Sequence, residues 1–168
     1  MAYVEQYTAN FTNEQGQDVV VSILQKDGTA PITVENYPIV SLNISANSDS
    51  QDSYACIISK ELSMTLWATD SDSITWETFI TSTHDEWKVI VTVDGVTFFI
   101  GFLSPDEGSA PFQDKPYEVN LKATDGLGLL KGYEFKYIDG TRVTDFNTLI
   151  EYISSALYYT GLQLPIRA

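Results

Sequence analysis

The sequence predicts a mainly β fold of the α+β kind: an antiparallel β-barrel-like or sandwich domain with a short crossing helix, followed by a C-terminal amphipathic helix. Three observations predict it. From Tyr117 to Thr124 apolar and polar side chains alternate without a break. Tyr117, Val119, Leu121 and Ala123 take one face and Glu118, Asn120, Lys122 and Thr124 the other, the period of a half-buried strand. Two turn signals, Glu14-Gln15-Gly16 and Asp94-Gly95, each sit between runs of β-branched and aromatic residues. Only late in the chain does the period become helical, with Phe146, Leu149, Ile150, Ile153 and Leu157 on one stripe.

The first hairpin spans residues 2 to 26. With Gly16 in the left-handed position, Phe11 pairs with Val19, Ala9 with Val21 and Tyr7 with Ile23, which makes one face apolar throughout. Asp27-Gly28, Pro31 and Pro38 then mark a loop or irregular edge, after which Val40, Leu42 and Ile44 alternate as a strand. The stretch from Ser45 to Ser53 is small and polar and reads as a surface loop. Its Asn47, Asp49 and Asp52, like Asp70 and Asp72, superficially resemble a calcium loop. The glycine and closing glutamate of that motif are absent at the required offsets, so a solvated loop is the reading adopted. Leu62, Met64 and Leu66 share one face of a strand ending near Trp67, and Trp76, Phe79 and Ile80 follow at the spacing of a short helix.

The hairpin from Glu86 to Leu103 turns at Asp94-Gly95. A plain two-residue turn pairs Val93 with Val96, Val91 with Phe98, Val89 with Ile100 and Trp87 with Phe102, eight apolar side chains on one face. The opposite face places Thr92 by Thr97, Ile90 by Phe99 and Lys88 by Gly101. Ile90 and Phe99 leave that face partly apolar, and we read them as a candidate subunit-contact face. Gly101, inside the strand, marks a bulge or a close backbone approach. A long loop with three prolines occupies residues 104 to 116. Beyond the strand that starts at Tyr117, Asp125-Gly126 reads as a turn that lets Leu127 and Leu130 pack beneath the β domain. The helix follows, with Asp145 or Thr144 as its N-cap and Gly161 as its stop. These boundaries predict a β domain over 1–124, then a helical linker segment over 125–168 that opens a second module cut short in this chain.

Composition narrows the function classes. The 168 residues suffice for one complete core, and 43 % apolar with 12 % aromatic content belongs to a packed protein. A formal charge of −14, from 23 acidic against 9 basic side chains, repels phosphate and argues against specific nucleic-acid binding. Cys56 is the sole cysteine, which excludes an intramolecular disulfide and a multi-cysteine zinc site. No run approaches the length of a membrane span, and the N-terminal residues lack the pattern of a signal peptide. No nucleophile-elbow, phosphate-loop or zincin motif occurs. His84, beside Asp85 and Glu86, is read as an exposed loop histidine. Neither a catalytic residue nor a cofactor nor a metal is expected.

Three runs carry a family resemblance. They are Gly-Phe-Leu-Ser-Pro-Asp from Gly101 to Asp106, Ala-Thr-Asp-Gly-Leu-Gly-Leu-Leu from Ala123 to Leu130, and the terminal helix ending in Tyr159-Thr160-Gly161-Leu162. In their order along the chain they resemble the N-terminal part of the tail-tip or baseplate hub proteins of tailed bacteriophages. The resemblance covers nearly the whole chain. It implies a structural, non-catalytic subunit that closes the tail tube and serves as an attachment platform. It further implies a ring-shaped homotrimer, partners among tail-tube and receptor-binding or fibre proteins, and a place in the virion tail tip after synthesis in the host cytoplasm. Gly101, Pro105, Asp106, Asp125, Gly126, Leu127 and Leu130 would then be fold signatures. The alternative expectation is a non-catalytic carbohydrate-binding β-sandwich, drawn from acidity, aromatic content and many short strands; a carboxylate-based hydrolase is a remote third.

Overall fold

A computed structural model describes residues 2–28, 34–35, 38–47, 59–69, 76–125, 136, 139–141 and 148–160. The chain divides into two compact units, Met1–Asp125 and Gly126–Ala168. The first is built on strands β1 (Tyr3–Thr12), β2 (Asp18–Lys26), β3 (Val34–Glu35), β4 (Ile39–Asn47), β5 (Ser59–Ala68), β6 (Trp87–Val93), β7 (Val96–Leu103) and β8 (Tyr117–Thr124). A single helical turn, α1 (Glu77–Ile80), precedes β6. Sheet order is β3-β1-β2-β6-β7-β8-β5-β4, antiparallel at every junction except the two-residue β3, which runs parallel to β1.

Alternation decides which side chains enter the core. Val21, Ile23, Leu62, Leu66, Val89, Val119 and Ala123 are wholly buried and belong to one apolar cluster that draws on both halves of the sheet. Each buried aliphatic side chain larger than alanine contributes about 2 kcal/mol from the water it leaves. One cluster shared by β2, β6 and β7 with β5 and β8 requires the sheet to fold over on itself. The bend lies at β7–β8, where only Phe102 with Thr124 and Leu103 with Ala123 are paired. From Tyr7 to the turn the first hairpin has the expected register, Phe11 opposite Val19, Ala9 opposite Val21 and Tyr7 opposite Ile23, with Gly16 at a φ of 79°; before Tyr7 an extra residue, Gln6, shifts it by one. The alternation of β8 also holds along its whole length.

Two further strands, β4 and β7, depart from the expected pattern by one residue each. Ile39 pairs with Leu66 and Ser41 with Thr65, so Val40 is an extra residue in β4 and is 54 % exposed instead of facing inward with Leu42 and Ile44. In β7 the extra residue is Phe98. The turn is the expected one, Asp94 and Gly95 both having positive φ, and Val93 meets Val96 and Thr92 meets Thr97. Beyond Phe98 the strand shifts, pairing Val91 with Phe99, Ile90 with Ile100, Val89 with Gly101 and Lys88 with Phe102. Phe99 therefore turns into the core, and the expected contact pair of Ile90 with Phe99 is corrected to Ile90 with Ile100. Phe102 is buried on the other face, its ring 5.9 Å from Tyr3, over which the Lys88 ammonium lies at 5.4 Å. Val96 and Phe98 remain on the surface.

The reason for the β7 shift lies at the bend. A Cβ on Gly101 would overlap the Thr124 carbonyl oxygen and stand 2.8 Å from its carbon. The slot opposite Val89 accepts no side chain, and a bulge-free register would have put Ile100 there. The extra residue at Phe98 delivers the glycine to that slot instead.

Near the start of β6, Lys26 Nζ meets the Asp85 carboxylate at 2.5 Å, and the Thr83 hydroxyl donates to the same carboxylate at 3.1 Å. The Lys26 hydrogen bond is the main cause holding Asp85 below its ordinary value of 3.8. A depressed carboxylate stabilises the fold fully above that value and loses its contribution as the pH falls through the lower folded one. Wild type is therefore expected to melt above Asp85→Asn by roughly 4 °C at pH 6, for a pair contributing about 1 kcal/mol, with the gap closing toward pH 2. A gap unchanged between pH 6 and pH 2 in calorimetry would dismiss the pair as its source.

In the second unit the described helix, α2, runs over Leu149–Thr160. Its N-cap is Thr148, which corrects the expectation of Asp145 or Thr144. The Thr148 backbone N–H donates to Glu151 Oε2 at 2.8 Å, and the Glu151 N–H donates to Thr148 Oγ1 at 3.3 Å. This reciprocal pair satisfies two otherwise orphaned donors. Ile150 and Ile153, expected on the buried stripe, are half exposed, whereas Ser155 is buried. Phe146 and Gly161 lie outside the described residues, as do Cys56, Asp49, Asp52, Asp70 and Asp72.

Candidate functional site

Of the fold-signature residues singled out in the sequence, Gly101, Pro105, Asp106 and Asp125 are described, and they fall at the bend and beside it. Gly101 occupies the tight slot just described. Pro105 is buried at the start of a 3-10 turn, Pro105–Glu107, and Asp106 is exposed on that turn. Asp106 Oδ2 lies 3.3 Å from His84 Nε2, with both side chains largely in solvent. Asp85, its sequence neighbour, belongs to Lys26 instead. A solvated pair of this kind lacks the buried orienting carboxylate of a catalytic triad.

Asp125 links two strands. Its Oδ2 accepts the Lys60 N–H at 2.8 Å, and its own N–H donates to the Lys60 carbonyl at 3.0 Å, extending the β5–β8 ladder by one step. The Lys60 ammonium donates to the Phe98 carbonyl at 3.1 Å and lies 4.7 Å from the Phe98 ring, so the clasp reaches the bulge. Gly126, Leu127 and Leu130 lie outside the described residues. Asp125→Ala is expected to destabilise the β unit by about 1–2 kcal/mol, because a backbone donor loses a charged acceptor. An unaltered melting temperature would show the clasp to be dispensable.

After β7 the chain keeps company with β8. The Ser104 N–H donates to the Lys122 carbonyl at 2.8 Å, and Ser109 exchanges two 2.9 Å backbone bonds with Asn120. Lys122 Nζ meets Glu107 at 3.3 Å and Glu61 at 3.6 Å, and the Glu107 hydrogen bond chiefly raises the lysine above its ordinary value. The loop then swings out and returns to Tyr117. Between it and α1 opens a cleft of about 430 Å³ lined by Glu77, Pro111, Phe112, Gln113, Asp114 and Tyr117.

Phe112 stands fully exposed on the cleft rim, while Tyr117 is only 6 % exposed. Burial first, and then the nearby Glu77 carboxylate, push the Tyr117 phenol up, so it stays protonated. Sequence reasoning placed Tyr117 inward on its strand but missed the cleft; the only signal for it was the length of the proline-bearing loop. Among the described residues no three His, Cys, Asp or Glu side chains converge as a metal site, and no helix is long and apolar enough to cross a membrane.

No family model, curated protein or solved structure matches the chain. The functional reading therefore rests on the residues themselves.

Proposed function

We propose that the chain is a structural subunit of a phage tail tip or baseplate hub that assembles with copies of itself and with other tail proteins. The observation that supports this reading is the apolar tip of the β6–β7 hairpin. Val96 is 70 % and Phe98 52 % exposed, on a chain whose formal charge of −14 would otherwise favour an all-polar surface. Ile90 and Ile100, half-buried on the outward row of the same hairpin, add apolar surface on its other face. Exposed apolar side chains on a highly charged subunit suit burial against an identical neighbour in a closed ring. The acidic surface left outside such contacts would repel DNA passing a tail lumen.

Light scattering on the purified chain tests the assembly: a mass of three chains is expected, falling to one in Val96→Asp/Phe98→Asp. Gold-labelled antibody against the chain tests the location, with label expected at the tail tip of the source virions. Label confined to another part of the particle, or to none, would overturn the reading. A carbohydrate-binding module has one observation in its favour, the fully exposed Phe112. Specific glycan-array binding that disappears in Phe112→Ala would establish that reading in its place.

A further inference from the structure

We infer that the cleft between α1 and the 111–117 loop is a recognition site for a guanidinium group, an arginine side chain presented by a partner protein. The lining is an aromatic rim at Phe112, a wall at Pro111, two carboxylates at Glu77 and Asp114, the Gln113 amide and the Tyr117 hydroxyl. No basic residue lines the cleft, and neither carboxylate has an ion-pair partner among the described residues. Tyr117 is more than nine-tenths buried and its hydroxyl makes no hydrogen bond among them. Burial fixes its ring while its oxygen stays open to solvent, a free acceptor at the cleft wall.

The chemistry of that group follows from the lining. An anion would meet two carboxylates with nothing to balance them. An apolar ligand would desolvate both carboxylates without return. A planar cation answers every feature at once: it stacks on an aromatic face and directs in-plane donors at two carboxylates and a phenol oxygen. Guanidinium does this better than ammonium, because its five donors lie in one plane and its faces are weakly hydrated. The volume of about 430 Å³ exceeds what one guanidinium fills, which leaves room for the stem and flanking backbone of a protein segment. This inference stands apart from the tail reading, since a basic partner segment is required whatever the chain assembles into.

The test is a titration of the 15N-labelled chain with N-acetyl-arginine amide, followed at the amides of Phe112 to Lys115. Saturable shifts are expected with a dissociation constant on the order of 1–10 mM, weakening as salt is raised. N-acetyl-lysine amide is expected to bind several-fold more weakly and methyl glucoside not at all. Glu77→Gln/Asp114→Asn, both at exposed positions, is expected to weaken the arginine probe at least fivefold while leaving the spectrum folded. The proposal is overturned by a flat arginine titration or by equal affinity for the lysine probe. Preference for the sugar, or shifts that persist in the double variant, overturn it too.

Discussion

Gly101→Ala is expected to destabilise the β unit by about 3 kcal/mol or more, an unusually large penalty for one added methyl group. The methyl would overlap the Thr124 carbonyl oxygen and come within 2.8 Å of its carbon and 2.6 Å of Phe99 Cζ. The Phe99 ring can shift. The carbonyl cannot, because Thr124 is paired with Phe102 on one side and Glu61 on the other, and Asp125 ties the next step to Lys60. Relief would have to come from prising β8 away from β7, at a bend that has only two residue pairs to lose.

Gly16→Ala provides the contrast. Gly16 has a φ of 79° with nothing near its Cβ position, so its cost of about 1 kcal/mol arises from backbone conformation alone. Urea denaturation of the two variants separates the causes. A Gly101→Ala midpoint no lower than that of Gly16→Ala would mean that the bend relaxes freely.

Phe79→Ala is expected to cost about 3–5 kcal/mol, the range for deleting a fully buried aromatic ring. Phe79 is 1 % exposed and its ring centroid lies 4.7 Å from Trp87, 5.5 Å from Tyr7 and 5.7 Å from Trp76. The contacts with Trp87 and Tyr7 are edge-on, the arrangement the ring quadrupole favours. The loss would not stop at the cavity. A four-residue helix has too few hydrogen bonds to persist alone, so α1 is held by the burial of Trp76 and Phe79. Freed of Phe79, α1 would also release Glu77 from the cleft. Denaturation should show the lower midpoint, with tryptophan emission shifted to the red before unfolding. Phe79→Leu, which keeps most of the volume, should lose less than half as much. Equal losses in the two variants would mean that ring geometry, not volume, holds the cluster.

The two hairpins and the β8 strand show how far local pattern reaches. Tyr117 to Thr124 has the predicted faces at every position, and Gly16 and Asp94-Gly95 turn where turn chemistry places them. Gly101 was legible as a bulge or a close approach, and it proves to be the close approach, with the bulge three residues earlier at Phe98. The Thr148-x-x-Glu151 capping box stood in the sequence too, but the helical stripe drew the expected N-cap upstream to Thr144 or Asp145. Asp125 was legible as structural, yet nothing in its neighbours identifies Lys60, which is 65 residues away.

What the sequence determined by itself is set by short periods: which residues alternate, where two residues with positive φ reverse the chain, and where a helix can begin. These depend on backbone sterics and on partners within a few positions. What the tertiary structure alone decided is where an alternation breaks and its phase reverses. A strand has a period of two, so one extra residue reverses every side chain beyond it. Whether that residue is inserted depends on what lies across the sheet. At β7 the Thr124 carbonyl leaves no space opposite Val89, so Phe98 is extruded, Phe99 turns inward and Gly101 fills the slot. The cleft at Phe112 and Tyr117 arises in the same way, from a loop and a helical turn that are distant in sequence and adjacent only once the core has formed.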